Sequence, residues 1–471
     1  MMAGISPASA NSDGMMVRNP ADRRQVVGFA PPMEKDGVDA AVARAGSAFA
    51  RWSVVPANER RKALLSVASS FEVESEGLAR LLTMEVGKPL AEARAEVAGA
   101  AATLKYYASL KIPERVMTRA EGSAHTYYER EPYGVCGLIL PWNYPLALLS
   151  WKMAPALLAG NAIVVKPSEH APLAVAAAVE FAGKHLPEGI ASVVCGGDDV
   201  GARLVRDSRV GRIAVTGSPE TGPKVLVAAA GRMAKVTLEL GGNDPMVVLD
   251  DADLNLRFKQ MFWASLRNCG QVCVAAKRVY VQRGLFSKFV RRYVERVKRL
   301  RIGNGLESGI ELGPVNNEPQ LRKVQSLVRR SVEGGGKLVA GGKRLGGELR
   351  HGLFYEPAIV TGLDNDAPLV REEQFGPAVP IIPFDTLDDA AELANDCELA
   401  LGAAVWSGDR ARALKLARRL TAGVVWVNSP LAIDITAPFG GFKGSGLGRE
   451  LGESGYHEYS ATKTYVVRWS E

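Results

Sequence analysis

The stretch 134-GVCGLILPWNYPLALLSWKMAPALLAGNAIVV-165 is the most apolar of the chain, and how it is read decides the fold. A membrane-spanning helix needs about 20 consecutive apolar residues, and this one is interrupted by Asn143, Lys152, Asn161 and three prolines. It therefore reads as buried α/β core. Its two ends, 135-VCGLIL-140 and 162-AIVVK-166, are short β-branched runs, and three more follow at 191-ASVVC-195, 212-RIAVT-216 and 236-VTLEL-240. Short strands alternating with helical stretches predict a parallel sheet covered on both faces.

Outward from this region the pattern repeats. A second series, 246-MVVL-249, 278-RVYV-281, 337-KLVAG-341, 402-GAAVW-406 and 423-GVVWVN-428, alternates with helical spacing around 254–267, 285–300, 319–333, 387–395 and 409–419. Residues 34–50 and 58–110 are Ala-, Leu- and Glu-rich at helical spacing, broken at Gly87-Lys88-Pro89. With 471 residues, 47% of them hydrophobic, the chain has two or more cores to build. Two α/β lobes with a cleft between them follow. Residues 1–20 lack the basic start and apolar block of a signal peptide and predict a disordered or loosely attached arm.

The net charge of +7 is scattered, as in 291-RRYVERVKRLR-301, where basic residues alternate with apolar ones as on a solvated helix face. No recognition motif accompanies it, so neither nucleic acid nor membrane is expected as a partner. Five cysteines, mostly lone within apolar runs, suit reduced thiols in a cytoplasm. Five scattered histidines and no second cysteine pair leave no metal site to expect.

In open parallel sheets ligands bind beyond the carboxyl ends of the strands, and four such places carry chemistry. In 140-LPWNYP-145 two prolines fix the backbone around Asn143, whose amide either caps the following helix or donates to an oxygen that gains charge. In 163-IVVKPSE-169, Lys166 and Glu169 either end a solvated strand or take ribose hydroxyls. The turn in 212-RIAVTGSPETG-222 presents backbone N–H groups to phosphate, but Pro223 stands where a P-loop needs lysine, which excludes ATP or GTP as substrate. In 237-TLELGGNDP-245, Glu239 is either a base with a raised pKa or a buried acid satisfying backbone groups.

The thiols of 269-CGQVC-273 admit several readings: a packing pair, half a zinc site, a reversible disulfide, or a nucleophile in an irregular turn. No GxSxG occurs and no histidine has a clear role, so a hydrolase triad is excluded. A cysteine paired with a glutamate suits thioester chemistry, in which a base activates water.

PWNYP, VVKPSE, VTGSPETG, LELGGNDP, GQVC, EEQFGP and PFGGFKGSGLGRE follow one another across residues 141–450, and together they resemble the NAD(P)-dependent aldehyde dehydrogenase superfamily, near its succinate-semialdehyde and betaine-aldehyde branches. The resemblance implies an α/β fold of two doubly wound parallel-sheet domains plus a small β oligomerisation element. The NAD(P)-binding domain would span 1–112 and 133–241, the catalytic domain 242–452, and the oligomerisation element 113–132 and 453–471, where 463-KTYVVRW-469 alternates like an edge strand. A homodimer or homotetramer would follow.

By the same resemblance Cys273 is the nucleophile, Asn143 the oxyanion donor, Glu239 the base that activates water, and Lys152 and Glu450 the proton relay. Leu140, Trp142, Lys166, Ser168, Glu169, Gly217, Ser218, Glu373 and Phe375 would hold the cofactor, NAD in preference to NADP because the Glu169 carboxylate accepts from a 2′-hydroxyl and repels a 2′-phosphate. Tyr144, Leu148, Trp151, Arg267, Ile433 and Ile435 would line the substrate pocket. Arg267 resembles an arginine that binds the distal carboxylate in succinate-semialdehyde dehydrogenases, whereas Trp151 stands where the second arginine of that clamp would be. Aromatic walls also suit betaine aldehyde or aromatic and aliphatic aldehydes. A non-catalytic relative on the same fold is the alternative class, and the joint retention of Cys273, Glu239 and Asn143 argues against it.

Overall fold

The computed structural model describes residues 14–30, 36–113, 115–121, 124–429 and 431–468, so the expectations for 1–13, for Pro430 and for Trp469 lie outside the described residues. Among these residues the strands read around the opening stretch form one sheet. Its order is Gly446–Leu447, Lys235–Glu239, Val210–Thr216, Val135–Ile139, Ala162–Lys166 and Ala191–Val193. The five strands expected from sequence are parallel, and Gly446–Leu447 returns antiparallel from far along the chain. Ile139 pairs with both Lys166 and Val215, and Thr216 with Glu239, so four strands end level on one side.

The second sheet runs Lys337–Ala340, Ala358–Thr361, Ala378–Phe384, Ala276–Gln282, Asp244–Val248, Gly402–Trp406 and Val424–Val427. It is parallel except at Lys337–Ala340, an exposed edge strand that pairs antiparallel. Two of its strands, Ala358–Thr361 and Ala378–Phe384, are absent from the sequence reading. The second contains Pro380 and Pro383, which cannot donate to a ladder and mark a run as edge or non-strand, yet it lies inside the sheet.

Four helices, Gly37–Trp52, Ala57–Val73, Ser75–Val86 and Leu90–Ser109, fill the N-terminal region. The expected break is real: Gly87 ends one helix at φ 97°, where a Cβ would also strike Pro314 at 2.7 Å, and Pro89 precedes the next helix. Residues 14–20 correct the expectation of a loose arm. Met15–Asn19 pairs antiparallel with Asp22–Ala30, the buried Asn19 side chain bonds Gln25, and the Pro20 carbonyl accepts from Leu353 N–H at 2.9 Å. The charges of this hairpin, Arg18, Asp22, Arg23 and Arg24, cluster around its turn and separate two short apolar runs, 15-MMV-17 and 26-VVGFA-30.

A third sheet pairs Ser460–Arg468 with Ala124–Pro132 and the latter with Arg115–Glu121, all antiparallel. Residues 452–457 form a helix against Pro145–Ala159, with the Tyr107 hydroxyl donating to the Gly452 carbonyl at 3.2 Å, so only 460–468 of the C-terminal segment joins this sheet. The N-terminal helices and the first sheet share one core and the second sheet has its own, with Trp151 packed against both.

Candidate active site

The turn before Cys273 is built from residues in an unusual backbone state. Asn268 (φ 48°), Cys269 (φ 58°) and Gly270 (φ 72°) are left-handed in succession, and a Cβ on Gly270 would lie 2.3 Å from the Gly376 carbonyl. The buried Asn268 amide holds the turn by donating to the Asn143 carbonyl at 3.1 Å and the Gln271 carbonyl at 3.3 Å. Asn143, also buried, donates from Nδ2 to the Gln271 carbonyl at 3.0 Å. Its side chain therefore does not cap the helix Pro145–Ala159. That role falls to Glu96 from a neighbouring helix, which accepts from the Leu146 and Ala147 N–H groups at 2.9 and 3.3 Å.

Cys269 points into the core of the second lobe, where burial pushes its thiol up. Cys273 instead lines a cavity of about 500 Å³ between the lobes, and both thiols are free. As a residue Cys273 is only half-buried, yet protein surrounds its sulfur closely enough that burial pushes the thiol up to about 12, with Lys277 opposing and Asp244, Glu373 and Glu239 adding to the rise. Burial thus favours the thiol over the thiolate, and Lys277 opposes that preference.

Glu239 ends its strand fully buried, with neither carboxylate oxygen hydrogen-bonded. That overturns the reading of an acid satisfying backbone groups. Burial, reinforced by Glu450, pushes its carboxyl well above the ordinary range, against Lys152 and Arg449. Lys152 Nζ, itself buried, bonds Glu450 Oε1 at 2.5 Å and Thr216 Oγ1 at 2.6 Å. Lys152 and Glu450 thus form a buried ion pair whose charges act on Glu239 without a hydrogen bond to it.

The cavity walls are apolar and aromatic: Tyr144, Leu148, Trp151, Ile433, Ile435 and Phe439, with Trp151 and Phe439 edge to face at 5.2 Å. Arg267 and Glu92 supply charge. Arg267 is exposed and makes no ion pair among the described residues, while Glu92 accepts from Asn268 N–H at 3.0 Å.

On the other side of the same strand ends, Lys166 lies 3.6 Å from Glu169, whose side chain is 38% exposed, and the Lys166 carbonyl accepts from Leu140 N–H. Ser168 is buried beside them. Gly217 and Ser218 precede the helix Thr221–Ala230, and a Cβ at Gly217 would meet nothing nearer than Thr221, at 3.7 Å, so packing does not itself demand glycine there. Gly222 lets that helix press on the sheet, since a Cβ there would lie 2.4 Å from Leu240. Trp142 packs edge-on to Phe375 at 5.5 Å, and Glu373 pairs with Lys277 at 3.2 Å. Among the described residues no cluster of three or more His, Cys, Asp or Glu could hold a metal ion, and no helix is long and apolar enough to cross a membrane.

The model of the aldehyde dehydrogenase family matches residues 7–465. The chain belongs to the aldehyde dehydrogenase family. It is 39% identical to the betaine aldehyde dehydrogenase of Bacillus subtilis over 96% of this chain and 95% of that one. Identity to the mitochondrial succinate-semialdehyde dehydrogenase of Oryza sativa is 38%, over 95% and 85% of the two chains. The crystal structure of betaine aldehyde dehydrogenase from Staphylococcus aureus in complex with NAD+ superposes with a TM-score of 0.94 at 34% identity, covering 99% of this chain and 94% of that one.

This aldehyde dehydrogenase also contains site residues that sequence reasoning passed over. Lys88 Nζ donates to the Asn143 carbonyl at 2.7 Å and to Glu96 at 2.5 Å, and lies over the Tyr144 ring at 3.6 Å. Lys277 Nζ donates to the Val272 and Cys273 carbonyls. Each is a lysine in an apolar segment, and a buried lysine needs a partner; that was the available signal.

Proposed function

We propose that this aldehyde dehydrogenase oxidises an aldehyde to its carboxylic acid through a thioester on Cys273, with NAD as the hydride acceptor. The observation that carries this reading is Cys273 on the wall of an otherwise apolar cavity, with the Asn143 amide fixed against the same turn. The Cys273 thiolate adds to the carbonyl carbon, and Asn143 donates to the oxygen that becomes negative. NAD, when bound, supplies the acceptor for the hydride leaving that carbon. Glu239 takes a proton from water as the water attacks the thioester, which frees the acid and the thiol. Lys152 and Glu450 pass the proton onward.

The strand ends carrying Lys166, Glu169, Gly217, Ser218, Glu373 and Phe375 bring an ammonium, backbone N–H groups and carboxylates that suit a dinucleotide, and the part-open Glu169 carboxylate favours NAD over NADP. Leu140, Trp142 and Ser168 complete its cradle. Residues 133–241 with the N-terminal helices form the NAD-binding domain and 242–452 the catalytic domain, while the three-stranded sheet, with Val466 exposed at its edge, joins subunits into a homodimer or homotetramer. The free thiols suit the reducing cytoplasm.

For the substrate, the unpaired Arg267 on the cavity lining supports a semialdehyde with a distal carboxylate, such as succinate semialdehyde. The aromatic walls and Glu92 favour a second reading, a cationic aldehyde such as betaine aldehyde. Formation of reduced nicotinamide with a panel of succinate semialdehyde, betaine aldehyde and benzaldehyde decides between them. Arg267→Leu should raise KM for the acidic aldehyde roughly 10- to 100-fold, the worth of one charged hydrogen bond, and leave neutral ones unchanged. Equal losses for both would exclude the carboxylate reading, and no turnover of any aldehyde would overturn the proposed activity.

A further inference from the structure

Lys277 is the second residue of the strand Ala276–Gln282 and is 2% exposed. A buried ammonium is costly unless its three protons find acceptors. Here all three do: Nζ donates to the Val272 carbonyl at 2.8 Å and the Cys273 carbonyl at 2.6 Å, and lies 3.2 Å from Glu373 Oε1. The group thus ties the nucleophile turn to the loop of residues 372–377. That loop is fixed independently. Gln374 Nε2 donates to the Lys277 carbonyl at 2.8 Å, and Gln320 Nε2 donates to the Gln374 and Phe375 carbonyls at 2.7 and 3.1 Å. Glu373 is held as well, by Gly242 N–H at 3.2 Å and by contact with Gly241, where a Cβ would lie 2.2 Å from Oε2.

The charged groups that face Cys273 are Lys277, Asp244, Glu373 and Glu239, and Lys277 is the one cation among them. Facing Lys277 are Glu373 and Asp244, the latter fully buried beside the Gly402 backbone. The Lys277 charge is therefore shared between the main chain of the Cys273 turn and Glu373.

We propose that Lys277 is a positioning residue for the Cys273 chemistry, its ammonium fixing the main chain of the nucleophile turn and balancing the Cys273 sulfur against the Glu373 carboxylate. The inference rests on the reading of Cys273 as the nucleophile. It requires changes at the two ends of the Lys277–Glu373 pair to act on the thiol in opposite directions. Removing the cation makes the thiolate harder to form, whereas removing the Glu373 charge frees the cation for the sulfur and makes it easier.

The test is the rate at which iodoacetamide alkylates Cys273 in the full-length, ligand-free protein across roughly pH 7 to 9, followed by mass spectrometry of the peptide that carries it. Lys277→Met should slow alkylation roughly tenfold at each pH, the equivalent of about one unit in thiol pKa. Lys277→Arg should restore the rate to within about threefold of the parent, because it keeps the charge. Glu373→Gln should accelerate alkylation. An unchanged rate in Lys277→Met, or slowing in Glu373→Gln, overturns the proposal. Should Lys277→Met fail to fold, the direction of the Glu373→Gln change decides alone, acceleration supporting the proposal and any other result overturning it. Failure of the underlying reading would show separately, as aldehyde oxidation surviving Cys273→Ala.

Discussion

Glu239 is buried without a hydrogen bond to either oxygen, and burial with Glu450 beside it holds its proton well above the usual carboxylate range. Only the ionised form can take a proton from water. Below the raised value the group is protonated and idle, so deacylation should accelerate as pH rises through that raised value. Glu239→Gln should lower steady-state turnover by roughly 10²- to 10⁴-fold and abolish that pH dependence; a variant with the parent profile would remove Glu239 from the mechanism. Asn143→Ala should cost about 10²- to 10³-fold in kcat, the usual loss for one oxyanion donor, while leaving the rate of Cys273 alkylation near that of the parent. Equal losses in both would assign Asn143 to the shape of the turn. The candidate residues at strand ends were legible because each comes just after a short apolar run and lies within two residues of a Gly or Pro. Lys88 and Lys277 were not, because their meaning lies in partners far along the chain: Asn143 for one, Glu373 for the other.

At the scale of elements, two helix starts are fixed by acids from other helices, Glu96 and Glu85. The pair of Lys88 and Glu96, both fully buried, joins the start of Leu90–Ser109 to the start of Pro145–Ala159 and to the Asn143 backbone. Removing one member leaves an uncompensated charge, so Lys88→Met should cost about 3–5 kcal/mol in a urea titration, and a loss under 1 kcal/mol would show that the pair relaxes into solvent. Glu85 caps the helix Leu173–Gly183 by accepting from the Leu173 and Ala174 N–H groups at 2.9 Å, and burial pushes its carboxyl up to about 8. Its folded pKa exceeds its unfolded one, so between the two the folded state binds the extra proton. Stability should therefore fall as pH rises from about 4.5 to 8 and then level off. The thermal midpoint measured across that range should show this decline, and Glu85→Gln should flatten it; a slope unchanged in the variant would assign the decline to other groups.

The molecule as a whole joins two parallel-sheet lobes at a cavity whose chemistry comes from both. Strand and helix alternation made the two lobes legible, since buried parallel strands are short apolar runs. The prolines of Ala378–Phe384 hid an inner strand, and the Met15–Ala30 hairpin was hidden because its apolar runs are short and its turn is crowded with charge. Nor does periodicity show that Gly446–Leu447 returns to the first sheet, because two residues carry no pattern. The edge strand Ser460–Arg468, with Val466 72% exposed, should be covered in solution by another subunit. Light scattering should give the mass of a dimer or tetramer of the 50.3 kDa chain, and Val466→Lys should shift it toward monomer, whereas a monomeric parent would contradict this role of the sheet. The central claim is that the aldehyde carbon becomes bonded to Cys273. Its most direct test is to mix Glu239→Gln protein with NAD and a turned-over aldehyde and to weigh the intact subunit and its peptides. The account predicts an acyl adduct on Cys273 matched by one reduced nicotinamide per subunit; reduced nicotinamide forming with Cys273 unmodified, or an adduct on another residue, would contradict it.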